Sequence, residues 1–306
     1  MINDIANKFK KRVRKFSELS ILNLRPFQIF PPKDMMSLGI IIPDKNKLIA
    51  KNTPVGSMGS CFAREIKMHL ETCGYNYILK GDSLHGSAPW ERVYNTACIK
   101  QELMRAFNLF TPVYEVNDTG RVFDLYRKNA VFVSRDEAND EQESYVKCAR
   151  AALLESEVFI FTLGLSEVWY DKISNYVLAQ SPPSEIFSIE KYSCRLLSPE
   201  ENYENLHQAF RLLKEKNPAI QIIITVSPVP LRSTFFNRSV IISNNVSKSS
   251  LIFAAHRIAA ELSFVHYFPS YEIALFLSEE PFGWDCRHVT RETVSTIMQG
   301  FELQFC

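Results

Sequence analysis

Three short, almost uninterrupted apolar runs constrain the fold of this chain more than any other feature of its sequence. They are 157–162 (EVFIFT), 219–226 (AIQIIITV) and 263–268 (SFVHYF), and glycine or proline bounds each of them. Runs of this length, rich in β-branched and aromatic residues, are typical of strands buried on both faces of a parallel sheet. The segments 144–155, 200–216, 247–262 and 289–304 have helical spacing of apolar residues. This alternation predicts an open parallel sheet with helices on both faces.

A further strand and helix are predicted at the start of this alternation. Residues 53–58 form a short strand candidate that leads into a turn of glycine and serine. Phe62, Ile66 and Leu70 then fall on one stripe of a predicted helix over 62–72. Because functional groups in such sheets collect at the carboxyl ends of the strands, we expect the site at the turn between them.

The chain is predicted to form one large catalytic domain with an extension before it. Its 306 residues, 46% of them hydrophobic, suffice to bury a substantial core. The first 50 residues carry four prolines and read as an N-terminal extension, with the domain over 51–306. Two segments, 110–143 and 170–198, do not fit the alternation and are interpreted as insertions that build a lid or a small accessory subdomain.

Charge and apolar patterning exclude several classes of function. The net charge of +1 predicts no bulk attraction to nucleic acid or to an anionic membrane. No apolar run is long enough to cross a bilayer, and no signal peptide is recognised, so we expect a cytoplasmic protein. The oligomeric state is left open.

Seven scattered cysteines predict reduced thiols rather than a disulfide framework. None of them forms a CxxC pair, which argues against a structural zinc site, and no metal is expected.

Candidate nucleophiles stand at the start of the first predicted helix. Ser60 and Cys61 lie in a turn of small residues, where free N–H groups and the helix dipole stabilise an anion. At such positions the pKa of a thiol is expected to fall. The alternative is that this serine-rich turn only caps the helix.

A candidate base precedes the last predicted helix. Asp285 stands three residues before His288, a spacing that allows the carboxylate to orient the imidazole and to stabilise its protonated form. The alternative is a helix cap formed by Asp285 with a nearby surface histidine.

Groups that can bind an oxyanion are found in two other segments. Gly164 and Ser166 directly follow the strand at 157–162, where glycine allows close approach of substrate and the serine can donate a hydrogen bond. Asn95 precedes another predicted helix, over 98–107, and offers a side-chain amide to the same oxyanion.

The sequence also resembles a known family. Four segments match the motifs of the GSCFA-domain family in order, namely 59–63 (GSCFA), 164–169 (GLSEVW), 227–229 (SPV) and 267–273 (YFPSYEI), and Asp285 and His288 match its closing D-x-x-H. The similarity covers roughly residues 52–302. It implies an SGNH (GDSL-like) hydrolase with a flavodoxin-like, three-layer α/β fold, and acyl-ester hydrolysis or acyl transfer, often on carbohydrate.

Three departures from the SGNH pattern affect the site. The register of the SGNH nucleophile falls on Cys61 rather than on a serine. The usual G-x-N-D is here 164–167 (GLSE), so the oxyanion asparagine is missing there and Asn95 is the candidate replacement. A proline commonly follows the closing histidine, and here that residue is Val289.

The resemblance implies a covalent mechanism. Cys61 or Ser60 attacks an acyl carbonyl, His288 transfers the proton and Asp285 orients His288. The expected substrate is a small-molecule or carbohydrate acyl compound. No cofactor is expected, although a cysteine nucleophile makes acyl-CoA a candidate donor substrate. The alternative is a non-catalytic carbohydrate-binding or scaffold module that retains the fold.

A literal GDSL string occurs at residues 81–84, which makes Ser83 another candidate nucleophile. The residues that follow it, from His85 to Pro89, do not predict a helix, so Ser83 lacks the stabilising helix start. We therefore rank Ser83 below Cys61.

Overall fold

The computed structural model describes residues 30–42, 45–78, 90 and 92–306. The chain divides into two compact units, residues 1–37 and 38–306. The described part of the first contains a short 3-10 helix, Lys33–Met35. All that follows concerns the second unit.

The second unit alternates strands and helices along most of its length. Its helices are α1 (Leu38–Ile41), α2 (Phe62–Thr72), α3 (Thr96–Ala106), α4 (Arg135–Glu155), α5 (Pro199–Lys216), α6 (Val240–Glu261), α7 (Ser270–Leu277) and α8 (Arg291–Phe305). Its strands are β1 (Val55–Gly59), β2 (Glu115–Val116), β3 (Val122–Asp124), β4 (Ala130–Phe132), β5 (Val158–Leu163), β6 (Glu167–Asp171), β7 (Val177–Leu178), β8 (Tyr192–Leu196), β9 (Gln221–Val226) and β10 (Val265–Phe268).

The central sheet is parallel and has the order β1-β5-β9-β10. On the free side of β1, Val55 also forms a parallel bridge with Tyr77. Counted along the chain, the five segments therefore take the order 2-1-3-4-5, which is the flavodoxin-like order. The predicted α/β fold with a parallel sheet is confirmed, and the order of the strands reverses between β1 and β5.

Alternate side chains of the central strands enter two separate cores, which makes the structure three-layered. On one face, Phe159, Phe161 and Ile222 pack with α3, α4, α5 and α6. On the other face, Ile160 and Ile223 pack with α2, α7 and α8. These five side chains are fully buried. Burial on both faces explains why the strands read as continuous apolar runs.

The two segments that broke the alternation each contain strands of a small antiparallel sheet. One sheet has the order β2-β3-β4 and the other β7-β6-β8. A single apolar cluster joins side chains from both, including Phe123 and Tyr126 from the first segment and Leu178 and Tyr192 from the second. The two segments therefore pack together beside the central sheet.

Helix α4 begins nine residues earlier than the predicted 144, at Arg135. Ser134 caps it, since its hydroxyl accepts a hydrogen bond from the Glu137 N–H at 3.1 Å. Its first turns are rich in acidic residues, which hide the apolar spacing from the sequence. Within the residues that the structure describes, no helix combines the length and the apolar character that spanning a membrane requires.

Candidate active site

The turn that carries Cys61 is fixed by Gly59 at the end of β1. Gly59 has φ +147, and a Cβ there would lie 2.2 Å from the carbonyl oxygen of Thr162 in β5. Only glycine accepts both the backbone angle and this close approach. As a result Cys61, the residue before α2, lies at the carboxyl edge of the sheet, between β1 and β5. This reversal of strand order is where sheets of this kind bind ligands.

The structure separates the roles of Ser60 and Cys61. Ser60 is 2% exposed, and its hydroxyl lies 3.0 Å from Thr162 Oγ1. The same hydroxyl accepts a hydrogen bond from the Phe62 N–H at 3.3 Å, as a helix cap does. Cys61 is half-buried, and its thiol is hydrogen-bonded to the N–H of its own residue. Of the two residues, Cys61 is the one placed to meet a substrate.

The pKa of the Cys61 thiol is raised, in contrast to the fall predicted from its place at a helix start. Burial disfavours the thiolate and is the largest cause. The positive charges of Arg287 and Lys248 lower the pKa but do not outweigh burial. The resting residue is therefore a thiol, and it needs a base before it can act as a nucleophile.

Asp285 and His288 form the pair that the sequence predicted. The Nδ1 atom of His288 lies 2.6 Å from Asp285 Oδ2, while Asp285 Oδ1 accepts hydrogen bonds from the N–H groups of Arg287 and His288. The hydrogen bond from the His288 N–H is the largest cause that lowers the pKa of Asp285 to about 2. The carboxylate thus stays ionised and holds one ring nitrogen, which leaves Nε2 to exchange a proton.

A tight loop brings this pair together. Phe282 and Val289 form an antiparallel bridge at its base, and the Gly283 N–H donates to the His288 carbonyl at 2.8 Å. Cys286 adopts φ +54, a left-handed conformation that is uncommon for a residue with a side chain. Strain of this kind persists where the surrounding contacts impose it, as at many active sites.

The loop lies beside Cys61, although the two candidate catalytic side chains do not touch. Arg287 is close enough to influence the Cys61 thiol electrostatically. The imidazole side chain of His288 is 68% exposed. In the part of the chain that the structure describes, no hydrogen bond joins Cys61 to His288, so the loop must shift for direct proton transfer.

The predicted oxyanion donors are occupied by other groups. The N–H groups of Gly164 and Leu165 both donate to the Tyr94 carbonyl, at 2.9 and 3.0 Å. Ser166 is fully buried, and its N–H donates to Ser247 Oγ at 2.7 Å. Asn95 is 3% exposed and caps α3 by accepting from the Cys98 N–H at 2.9 Å. Among the described residues, no hydrogen bond joins Gly164, Ser166 or Asn95 to Cys61.

Tyr94 is a site residue that the sequence reasoning passed over in favour of its neighbour Asn95. Burial raises the pKa of the Tyr94 hydroxyl, and the nearby Cys61 raises it further. The hydroxyl also lies 3.4 Å from Lys128 Nζ. Tyr94 thus presents a neutral O–H close to the candidate nucleophile.

Positive charge surrounds this group. Arg92 and Arg287 both interact electrostatically with Tyr94, while Arg92 and Arg232 interact with Lys128. Arg92 and Lys128 also line a cavity that opens next to the site. Across the described ranges of the chain, none of these four cations forms an ion pair with a carboxylate. The arrangement favours a ligand that carries negative charge.

Lys248 is a second residue that the sequence did not single out. Its Nζ is buried and donates to the carbonyl oxygens of Gly164 at 2.8 Å and of Ser227 at 2.7 Å. Burial lowers the pKa of this amine to about 7, and Cys61 acts in the opposite direction. Lys248 therefore ties together the chain where it leaves β5 and β9, directly behind the site.

Ser83 and His85, with the whole GDSL string at 81–84, lie outside the described residues. Their relation to Cys61 and His288 stays a prediction.

Comparison with known proteins gives structural likenesses and one family. A search of curated proteins found no significant match to the sequence. A protein from Streptococcus pneumonia, provisionally described as a platelet activating factor, is 10% identical, with 83% of each chain covered and a TM-score of 0.40. A carbohydrate esterase family 3 protein from Talaromyces cellulolyticus is 10% identical over 81% of this chain and 94% of its own, with a TM-score of 0.30.

An acetyl xylan esterase from the rumen bacterium Butyrivibrio proteoclasticus is also 10% identical, covering 84% of this chain and 64% of its own at a TM-score of 0.34. The GSCFA family model matches residues 54–301, which include the Cys61 turn, the Gly164 loop and the Asp285–His288 pair. The chain therefore belongs to the GSCFA family.

Proposed function

We propose that this protein is an acyl hydrolase or acyltransferase that works through an acyl thioester on Cys61. The observation that carries the proposal is the Asp285–His288 hydrogen bond of 2.6 Å, in a loop beside Cys61 at the edge of the sheet where such folds bind ligands. A nucleophile, a base and a group that orients the base are the parts that acyl transfer needs.

The reaction divides into two steps. In the first, His288 Nε2 takes the proton from the Cys61 thiol and Sγ bonds to the acyl carbonyl carbon. The tetrahedral intermediate expels the leaving alcohol or thiol, which receives the proton from His288. In the second, His288 takes a proton from water or from an acceptor hydroxyl, and the oxygen of that molecule bonds to the carbonyl carbon. The Cys61 thiolate then leaves and regains its proton from His288.

The oxyanion of each intermediate needs donors besides Gly164, Ser166 and Asn95. We assign this role to the backbone N–H of Cys61, at the start of α2, and to the Tyr94 hydroxyl. The Cys61 N–H donates to no described backbone carbonyl, and it is hydrogen-bonded to the thiol of its own residue, where the reaction takes place. The Tyr94 O–H is kept protonated by burial, so it can donate.

The charges around the site favour an anionic substrate, one that bears phosphate or carboxylate groups. Arg92, Lys128, Arg232 and Arg287 meet no carboxylate partner among the described residues, and arginine suits planar recognition of both anions. Trp284, next to Asp285, is 98% exposed and provides an apolar face for a sugar or nucleobase ring. An acyl-CoA donor and an acylated acidic glycan share this chemistry.

The experiment compares four acetyl donors: acetyl-CoA, an acetylated acidic oligosaccharide, an acetylated neutral oligosaccharide and the uncharged p-nitrophenyl acetate. We expect higher kcat/KM on an anionic donor, and the preferred one tells the two sources apart. Lys128→Gln should raise KM for the anionic donor more than for the uncharged ester, although both reactions use the Tyr94 hydroxyl that Lys128 contacts. Lys147→Gln, on an exposed part of α4, is the matched control. Equal effects of Lys128→Gln on charged and uncharged esters would contradict the anionic preference.

A second candidate function is a non-catalytic binding module. It is favoured by the absence of a Cys61–His288 hydrogen bond in the described structure and by the internal engagement of Gly164 N–H and Ser166. Turnover of any of the four donors, lost in Cys61→Ala, rejects this candidate. Because Cys61 must stay reduced, the catalytic proposal also places the protein in a reducing compartment such as the cytoplasm.

A further inference from the structure

Three side chains with metal-binding atoms converge at the end of α2 that is far from Cys61. His69 lies in the last turn of α2, Cys73 follows that helix, and Glu302 projects from α8. His69 Nε2 is 3.2 Å from Glu302 Oε1 and 3.6 Å from Cys73 Sγ. One ligating atom from each residue lies within 4.8 Å of the other two. The sulfur, nitrogen and oxygen thus form a compact triangle between two helices.

Two sides of this triangle match the edges of a tetrahedral zinc site, and the sulfur–oxygen side is no longer than 4.8 Å. Zinc bonds to sulfur at about 2.3 Å, to imidazole nitrogen at about 2.0–2.1 Å and to carboxylate oxygen at about 2.0–2.2 Å. With tetrahedral angles these lengths separate sulfur from nitrogen by about 3.6 Å and nitrogen from oxygen by about 3.4 Å. The observed separations, 3.6 and 3.2 Å, agree with both values to within about 0.2 Å.

We propose that His69, Cys73 and Glu302 bind a divalent transition metal, zinc in the first place, with a fourth position open to water. Thiolate and imidazole ligands select zinc-like ions over magnesium and calcium, which prefer oxygen. On binding, the Cys73 thiol gives one proton to solvent and its sulfur bonds to the metal. The thiolate and the carboxylate together neutralise the two charges of the ion.

The surroundings allow an ion to enter. The side chains of His69 and Glu302 are 25% and 40% exposed. Two lysines lie nearby, and both donate to backbone carbonyls: Lys47 Nζ to those of Glu302 and Cys306, and Lys51 Nζ to that of Cys73 at 2.7 Å. The Tyr75 hydroxyl is hydrogen-bonded to the Cys306 thiol beside the group. The carboxylate of Glu302 therefore contacts His69 rather than Lys47.

A metal here would join the helices that carry both halves of the proposed catalytic machinery. Helix α2 starts directly after Cys61, and α8 starts three residues after His288. This consequence rests on the proposed function, but metal binding itself does not. The test therefore uses a readout that is independent of turnover.

The test is a titration of the chelator-treated full chain with cobalt(II), followed by absorption spectroscopy. We expect a thiolate-to-cobalt charge-transfer band that saturates at about one ion per chain and is displaced by zinc. Cys73→Ser should remove the charge-transfer band. Cys148→Ser, which changes a half-buried cysteine on α4, is the matched control and should keep it, as should Cys61→Ser.

A second variant keeps the test valid if Cys73→Ser misfolds. His69→Gln should retain the circular dichroism spectrum of the wild type and weaken cobalt binding by more than about tenfold. Absence of a cobalt band in the wild type, or a band that persists unchanged in Cys73→Ser, would overturn the proposal. In that case the three residues form only a half-exposed ion pair with a neighbouring thiol.

Discussion

His288 Nδ1 lies 2.6 Å from Asp285 Oδ2, and the same carboxyl group accepts the backbone N–H of His288 through its other oxygen. The carboxylate therefore holds both the side chain and the main chain of His288. These two hydrogen bonds fix the ring orientation and direct Nε2 away from Asp285. A histidine held in this way is suited to act as a general base rather than as a surface residue.

Replacing either member of this pair should stop catalysis without unfolding the protein. His288→Ala is expected to lower kcat/KM by roughly 10²–10⁴-fold, since it removes the general base. Asp285→Asn should lower the rate because an amide no longer holds the required tautomer. The measurement is turnover of an acyl ester together with the thermal midpoint. A folded His288→Ala protein with nearly wild-type rate would rule out the assigned base.

The pH dependence of Cys61 alkylation should change when the charge of Arg287 is removed. That charge lowers the pKa of the thiol against the opposing effect of burial. Removing it in Arg287→Gln raises this pKa further, so the rise of the alkylation rate with pH should move to higher pH. Arg287→Lys should restore most of the wild-type profile, and Arg64→Gln, at the exposed start of α2, serves as a control. An unchanged profile in Arg287→Gln would contradict this coupling.

Lys248 should make stability depend on pH in the alkaline range. Its pKa is about 7 in the folded protein and about 10.4 in an unfolded chain, so the unfolded state binds more protons between these values. The free energy of unfolding should rise with pH there, by roughly 1 kcal/mol per pH unit relative to Lys248→Met.

Urea unfolding at several pH values above 7 measures this difference for wild type, Lys248→Met and the exposed control Lys147→Met. If the free energy of unfolding changed with pH equally in wild type and in Lys248→Met, Lys248 would not be buried in its neutral form.

Gly59 should be intolerant of any side chain. In Gly59→Ala the new Cβ would lie 2.2 Å from the Thr162 carbonyl oxygen, at φ +147. We expect a loss of more than about 3 kcal/mol in the free energy of unfolding. Gly39→Ala is the matched control, because no described atom beyond its chain neighbours and its own helix lies within 4 Å of the added Cβ. Similar midpoints for the two variants in chemical denaturation would contradict this geometry of the turn.

The fold was accessible from the sequence because its strands are buried on both faces. Continuous apolar runs such as Val158–Leu163 and Gln221–Val226 are typical of strands in that position. The helical spacing of the segments between them predicted helices on both faces of the sheet. The boundary of α4 was missed because its polar first turns obscure the periodicity. Strands β2, β3, β4 and β7 of the antiparallel sheets were missed because two or three residues carry no readable pattern.

The candidate site was only partly accessible. Cys61, Asp285 and His288 stand in local motifs that resemble those of the GSCFA family, and that resemblance is what favoured Cys61 over Ser60. Lys248 lies within α6 and looks in sequence like any helical lysine, because its partners at Gly164 and Ser227 are brought to it only by the sheet. A search for closely spaced cysteine pairs also missed the His69–Cys73–Glu302 group. Glu302 is far from the other two residues in sequence and meets them only where α8 packs beside α2.

The identity of the nucleophile is the central claim, and one measurement tests it most directly. The protein is mixed briefly with an acyl donor, quenched in acid and mapped by peptide mass spectrometry. We predict an acyl adduct on Cys61 that is absent from Cys61→Ala, persists in Ser60→Ala and Ser83→Ala, and accumulates more slowly in His288→Ala. An adduct on Ser60 or Ser83, or undiminished turnover by Cys61→Ala, would contradict the account.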